Sequence, residues 1–296
     1  VIANDSIQTL GTWIASNKKV NWKIMWGFAS AVLLIAIWYG WWAYDGDISY
    51  GRLNKIPFEG VEWYQALAPA VLLLLTRFGV PVSTSFLVLS AFASTLVLQK
   101  VLMKSMLGYA VAGVAAYFIW LALTRLIDEG KSIKDSHKKW WSIGQWVTTG
   151  FLWWTWLRHD MANIAVYLPR QIPVEVMFII SAVFIAGLAW MLQHRGGKIQ
   201  EIVVQKKNTK YVRSATLIDL FYFIILYVFK EMNDIPMSTT WVFVGLLTGR
   251  ELAIASFRQK DSVKKVFPIV GRDFLKLMVG LAASVGIVLV VQYAKG

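Results

Sequence analysis

The chain has 296 residues, of which 57% are hydrophobic and 15% aromatic but only 16% charged, whereas a soluble domain carries roughly 25% charged residues. An ordinary water-soluble enzyme is therefore set aside, and with no cysteine and only His137, His159 and His194, so are disulfides, thiolate chemistry and HExxH or poly-His metal clusters. The net charge of +13 fits basic loops on the cytoplasmic side of a membrane better than a nucleic-acid surface.

The opening segment contains Ala3-Asn4-Asp5-Ser6-Ile7-Gln8 and lacks the basic n-region of a secretory signal. Apolar runs then predict spans at 23–44, 106–127, 140–157, 174–192 and 274–294. Each is near the ~20 residues that cross a hydrocarbon core ~30 Å thick. Two further apolar pairs are broken: 63–76 with 82–98, interrupted at Pro81, and 215–229 with 238–254, interrupted at Pro236. The 16 tryptophans suit interfacial belts, as at Trp38, Trp41 and Trp42, or Trp140 and Trp141. The expected class is an all-α polytopic membrane protein.

An internal repeat organises these segments. Asp5 is followed 76 residues later by Pro81-Val82-Ser83-Thr84-Ser85, and Asp160, in His159-Asp160-Met161-Ala162-Asn163, is followed 76 residues later by Pro236-Met237-Ser238-Thr239-Thr240. A single offset of 155 superposes both motifs without a gap. The expected organisation is a first repeat over 1–127 with a hairpin at about 63–98, a cytoplasmic linker at 128–139, and a second repeat over 140–296 with a hairpin at about 215–254. Because Asp160 is preceded by the apolar segment 140–157, the duplication also predicts a matching helix upstream of Asp5, outside this chain.

Short, Pro-interrupted segments in corresponding positions of two halves point to a transporter site near the bilayer midplane. If each broken pair is a re-entrant hairpin, twenty of the 30 Lys and Arg fall on one face: Lys18, Lys19, Lys23, Arg125 and the runs 131–139, 195–213 and 258–276. Six fall on the other (Arg52, Lys55, Lys100, Lys104, Arg170 and Lys295), and Arg77, Arg158, Lys230 and Arg250 stay at membrane depth. The positive-inside rule then makes the twenty-charge face cytoplasmic, in the plasma or inner membrane, and the two repeats insert in opposite directions.

Pro followed by Ser and Thr makes a good helix start, since the ring fixes φ and the hydroxyls cap free N–H groups. Two such ends form an oxyanion cradle from Ser83, Thr84, Ser85, Ser238, Thr239 and Thr240 without a lysine. An ionised carboxylate in hydrocarbon costs roughly 2.5 kcal/mol or more, so Asp5 and Asp160 need a partner or a cavity. With Asn4, Gln8 and Asn163 close in sequence, carboxylate and amide oxygens suit a hard cation such as sodium; pairing of Asp160 with Arg158 is the plainer alternative. Arg77 and Arg158 either steer anions or pair with acids. His159 either carries a coupling proton or makes an ordinary hydrogen bond. Asp219, Glu231, Asp234 and Glu251 have no match in the first half and read as interhelical contacts. Gly280, Ser284 and Gly286 can pack a helix within one chain or between two copies in a homodimer.

At these residues the sequence resembles the inorganic phosphate transporter (PiT) family, which carries a duplicated G-A-N-D-V-A-N signature and a duplicated P-[VI]-S-T-T motif in an inverted repeat. Here the signatures read Ile2-Ala3-Asn4-Asp5-Ser6-Ile7-Gln8 and Leu157-Arg158-His159-Asp160-Met161-Ala162-Asn163, and Leu10-Gly11-Thr12 resembles the family's F-G-T continuation. His159, Gln8 and Ser85 depart from the pattern, and Phe86 and Trp241 stand where the family often has His. The resemblance implies symport of phosphate with sodium or protons. It places the coupling cation at Asp5, Gln8 and Asp160, and the anion at Asn4, Asn163 and the six hydroxyls. Sulfate is the alternative anion. An anion channel and an intramembrane enzyme are the competing classes, the latter disfavoured because no Ser/His/Asp triad or metal-ligand set is visible and no cofactor is implied.

Overall fold

The computed structural model describes residues 2–54, 56, 58, 60–89, 91–92, 95–126, 135–206, 209, 211–232, 238–258 and 260–295. Among these, all regular structure is helical: α1 (Ile2–Ser16), α2 (Trp22–Ala43), a 3-10 turn (Trp63–Ala66) leading into α3 (Leu67–Arg77), α4 (Thr84–Leu89), α5 (Thr95–Leu126), α6 (Asp135–Asp160) and α7 (Ala162–Ala165). Then follow α8 (Val174–Gln193), a 3-10 turn (Gly197–Gln200), α9 (Glu201–Val204), α10 (Val212–Leu226) running into a π-turn (Tyr227–Glu231), α11 (Thr239–Arg258) and α12 (Lys260–Lys295). Expectations at Asp234, Pro236 and Met237, and at linker residues 128–134, lie outside the described residues.

Among the described residues six stretches are long and apolar enough to cross a membrane: Trp22–Ala43, Ser105–Leu123, Val174–Gln193, Val212–Glu231, Thr239–Phe257 and Val263–Ala294. The predicted span 140–157 folds inside α6 but is not one of them. Its polar residues explain this, because Gln145, Thr149 and Thr155 are buried against other helices instead of facing out. The second broken pair forms two helical stretches of 20 residues each, counting the π-turn, where shorter limbs were expected. In the first pair, α3 has 11 residues, about 16 Å at the helical rise and well short of a hydrocarbon core. The limb expected at 82–98 divides into α4 and the beginning of α5, a 32-residue helix that also contains the span predicted at 106–127.

Polar residues are buried within a large apolar core, and apolar residues also cover the outside. Every residue from Asn4 to Ala15 of α1 is buried, including Asn4, Asp5, Ser6, Gln8, Thr9 and Thr12, whereas Ile24, Ile35, Met103, Phe118, Phe178, Phe267 and Leu289 are exposed. Exposed apolar side chains in this number suit lipid. In a bilayer the helices gain no hydrophobic energy from meeting one another, so close packing and interhelical hydrogen bonds must hold them.

Both devices are present. Asn21 caps α2 by accepting from Lys23 N at 3.0 Å. α2 runs antiparallel to α8: Trp41 Nε1 donates to Ile172 O at 2.7 Å at one end, and Arg195 donates to Val20 O at 2.9 Å at the other. Trp42 and Trp140 are exposed as belt residues should be, but Trp13, Trp120, Trp153 and Trp156 are fully buried, so tryptophan also fills the core. Trp153 stacks on Trp156 with ring centroids 5.1 Å apart. Of the three small residues on α12, Gly280 and Ser284 pack within the chain. A Cβ on Gly280 would lie 3.2 Å from Pro81 O, while one on Gly286 would meet nothing.

Candidate functional site

α1 is the axis of the site. Gln8 lies four residues after Asn4 and three after Asp5, so each of them shares a helical face with it. The turn before α4 comes to them. Asn4 Nδ2 donates to Val82 O at 2.8 Å, and Val82 N donates back to Asn4 Oδ1 at 3.3 Å. Asp5 Oδ1 accepts from Asn4 Nδ2 and from Thr84 Oγ1, both at 2.6 Å. Gln8 Nε2 donates to Thr240 Oγ1 at 2.9 Å, and Thr240 Oγ1 donates to Val82 O at 3.0 Å. Asp5, Gln8, Thr84, Thr240 and the Val82 carbonyl therefore form one buried oxygen-rich cluster from three parts of the chain. Gln8 Oε1 is buried there with no protein partner among the described residues.

A second cluster surrounds the end of α6. Asp160, 2% exposed, accepts from Ser85 Oγ at 2.9 Å, with Asn163 Nδ2 farther off at 3.5 Å. Lys230 Nζ lies 3.9 Å from the same Oδ1. The alternative pairing of Asp160 with Arg158 is not what the structure holds: Arg158 pairs with Glu231 Oε2 at 3.0 Å. His159 Nε2 sits 2.9 Å from Glu231 Oε1 and 3.3 Å from an Arg52 nitrogen. Above this cluster the segment after α2 acts as a cover, with the Arg158 guanidinium 5.1 Å from the Tyr50 ring. Burial pushes the Tyr50 phenol up, opposed by that guanidinium, so the hydroxyl stays protonated and donates to Ala36 O at 2.5 Å. Arg77 is exposed at the last turn of α3 and takes no part in either cluster.

The two hydroxyl motifs do the same local job. Ser83 Oγ accepts from Phe86 N at 3.2 Å, and Ser238 Oγ accepts from Trp241 N at 3.4 Å, each three residues on. Between them lies a small cavity, of about the size of one water, lined by Ser83, Ser105, Ser284, Phe86 and Trp241 among others. α4 has only six residues, so the helix dipole expected behind the first motif is slight; hydroxyls and backbone N–H groups carry what donation it offers. Thr239 contributes its carbonyl, which accepts from Tyr222 OH at 3.0 Å.

Asp219 is the interhelical contact that the sequence suggested, Thr12 was noted only within Leu10-Gly11-Thr12, and Thr149, Asn17, Gln145 and Ser16 were passed over. Thr12, on the same stripe of α1, donates to Asp219 Oδ1, and Thr149 donates to Asp219 Oδ2 at 2.6 Å. Farther along, Asn17 donates to Gln145 Oε1 at 2.9 Å, and Gln145 donates to Ser16 Oγ at 2.6 Å. The available signal was the stripe Gln8, Thr12, Ser16 at four-residue spacing. Among the described residues no group of three His, Asp or Glu converges to hold a metal ion. What converges is two buried aspartates with amide and hydroxyl oxygens, and, around the second of them, Lys230, Arg158 and Arg52 with Glu231. Neither a family model, nor a curated protein, nor a solved structure matches the chain.

Proposed function

We propose that the chain is a multi-pass membrane transporter that carries an inorganic oxyanion, phosphate in the first instance, together with a cation. Its site lies between two inverted repeats near the midplane of the bilayer. The observation that carries this reading is that motifs distant in sequence meet crosswise: Gln8 of the first signature bonds Thr240 of the second hydroxyl motif, and Ser85 of the first hydroxyl motif bonds Asp160 of the second signature. Polar residues buried against one another at corresponding places of two halves are what a binding site between inverted repeats would have.

Three further observations support it. α2 and α8, which correspond under the offset of 155, run antiparallel as mates in an inverted repeat do. α3 is too short to cross, as a re-entrant limb would be. Asp5 with Gln8, Thr84 and Thr240 supplies the hard oxygen donors that sodium takes. In this reading the basic loops face the cytoplasm, the small cavity where Ser83, Ser105 and Ser284 meet Phe86 and Trp241 marks the closed anion site, and the motifs part to admit the anion.

The test is uptake of labelled phosphate, with sulfate in parallel, into proteoliposomes of the full-length protein under an imposed sodium gradient and then a proton gradient. Cation-driven uptake of phosphate is expected. Preference for sulfate would change the anion and leave the mechanism. Anion flux indifferent to both gradients would mean a channel, and no flux of either anion by folded protein would overturn the proposal.

A further inference from the structure

Asp219 lies inside the apolar stretch Val212–Glu231 and is 1% exposed. Three helices meet at its carboxyl: α10 carries it, Thr12 of α1 donates to Oδ1, and Thr149 of α6 donates to Oδ2 at 2.6 Å. Among the described residues these two hydroxyls are its hydrogen-bond partners, and no basic side chain pairs with it. Other acids of the interior do have one: Asp160 lies beside Lys230, Glu251 beside Arg250 and Asp273 beside Lys206. The elements packed on Asp219 bring little charge to it. On α1 the titratable residue is Asp5, seven positions from Thr12, and α6 has none between Lys139 and Arg158. On α11 Arg250 and Glu251 pair with each other, and α5 meets α10 through Trp120 and Phe221. Within α10 itself stand Arg213 and Tyr222, the latter donating to Thr239 O, and beyond it Lys230 and Glu231 go to the end of α6.

An ionised carboxylate is costly in such surroundings, and the neutral acid is not. A lysine or arginine would hold the group ionised, whereas a hydroxyl can donate or accept. Thr12 and Thr149 therefore suit both states: both donate to the anion, and one turns round to accept from the neutral acid. We propose that Asp219, with Thr12 and Thr149, is a proton-binding site separate from the Asp5 and Asp160 clusters. It holds a neutral carboxylic acid in this conformation. When α1, α6 and α10 part and water reaches it, the acid O–H bond breaks, the proton passes to water, and the two hydroxyls keep the carboxylate. As the carrier of a coupling proton Asp219 rests on the transporter reading above; as a neutral buried acid it does not.

Infrared spectra of the full-length protein in lipid nanodiscs test the proton directly, because the carbonyl stretch of a protonated carboxyl stands apart from the amide and carboxylate bands. Wild type at neutral pH is expected to show that band, and Asp219→Asn, which keeps the shape and an oxygen for one hydroxyl, to lose the intensity of one carboxyl. No such band in wild type, or an unchanged band in folded Asp219→Asn, overturns the site. If Asp219→Asn does not fold, Thr149→Val serves: it removes one partner, so the band should shift, and an unmoved band overturns the assignment. Uptake of labelled phosphate into proteoliposomes tests the coupling. A proton gradient is expected to accelerate wild type, and Asp219→Asn to lose that response. Wild-type uptake that ignores the proton gradient, or a folded Asp219→Asn that responds as wild type does, overturns the coupling role. No anion uptake at all by wild type that shows the band overturns the transporter reading and leaves the proton site standing.

Discussion

Thr84 and Ser85 are neighbours in α4, yet one bonds Asp5 and the other Asp160. Through this pair a single turn of chain touches both carboxylates, so under the proposed cation coupling a change at one aspartate would reach the other through α4. The Thr84 hydroxyl donates to a charged acceptor, an interaction worth about 1.5–3 kcal/mol when its partner stays buried. Thr84→Val keeps the shape and removes the donor and its oxygen. The sodium affinity of the Asp5 cluster should fall by roughly tenfold or more, at about 1.4 kcal/mol per decade. Radiolabelled sodium binding checks this, and an unchanged affinity would detach Thr84 from the cation. At this scale the repeat made Asp5, Asp160 and the two hydroxyl motifs legible. Lys230 was visible only as a charge at membrane depth and Glu231 as an interhelical contact, because a π-turn leaves no residue signature and their partners are chosen by packing. Asp219 was legible as an interhelical contact, but the hydroxyls that satisfy it come from two other helices.

Among the elements, α5 and α11 make the closest approach. They run parallel, with Tyr109 opposite Gly245 and Gly113 opposite Gly249, and Tyr117 OH reaching Ser256 Oγ at 3.4 Å. Gly245-Leu246-Leu247-Thr248-Gly249 is a small-xxx-small stripe that lets two backbones touch, and a Cβ on Gly249 would overlap the Gly113 carbonyl. Arg250, next in sequence, is fully buried, donates to Ser214 Oγ at 2.7 Å, and so fastens the same helix to α10. Gly249→Val should therefore force the helices apart, at about 1–3 kcal/mol or more for overpacking. A lower thermal midpoint in detergent is expected, together with loss of anion uptake, since α11 begins at Thr239 beside the second hydroxyl motif. A variant as stable as wild type would mean that α5 and α11 are not in contact here. Sequence periodicity drew attention to Gly280, Ser284 and Gly286 instead, because a stripe of small residues does not say which helix it faces.

For the whole molecule, the spans at 23–44 and 174–192 emerged almost unchanged as α2 and α8, because each is an uninterrupted apolar run with polar ends. The broken pairs were less legible, since a run that stops short and one that continues as a longer helix read alike until packing decides between them. Sidedness can be tested directly, as the chain has no cysteine and any introduced thiol is unique. Lys19 and Lys198 are exposed at the end of the α2–α8 pair where Arg195 meets Val20, and Asn54 and Gln171 are exposed towards the end where Trp41 meets Ile172. Single variants Lys19→Cys, Lys198→Cys, Asn54→Cys and Gln171→Cys, treated in intact cells with a membrane-impermeant maleimide, should label at Asn54 and Gln171 and stay protected at Lys19 and Lys198 until the membrane is opened. The reverse pattern would put the basic face outside, against the charge distribution. Labelling of Lys19 and Lys198 on opposite faces would break the pairing of α2 with α8, and with it the inverted repeat on which the transporter reading stands.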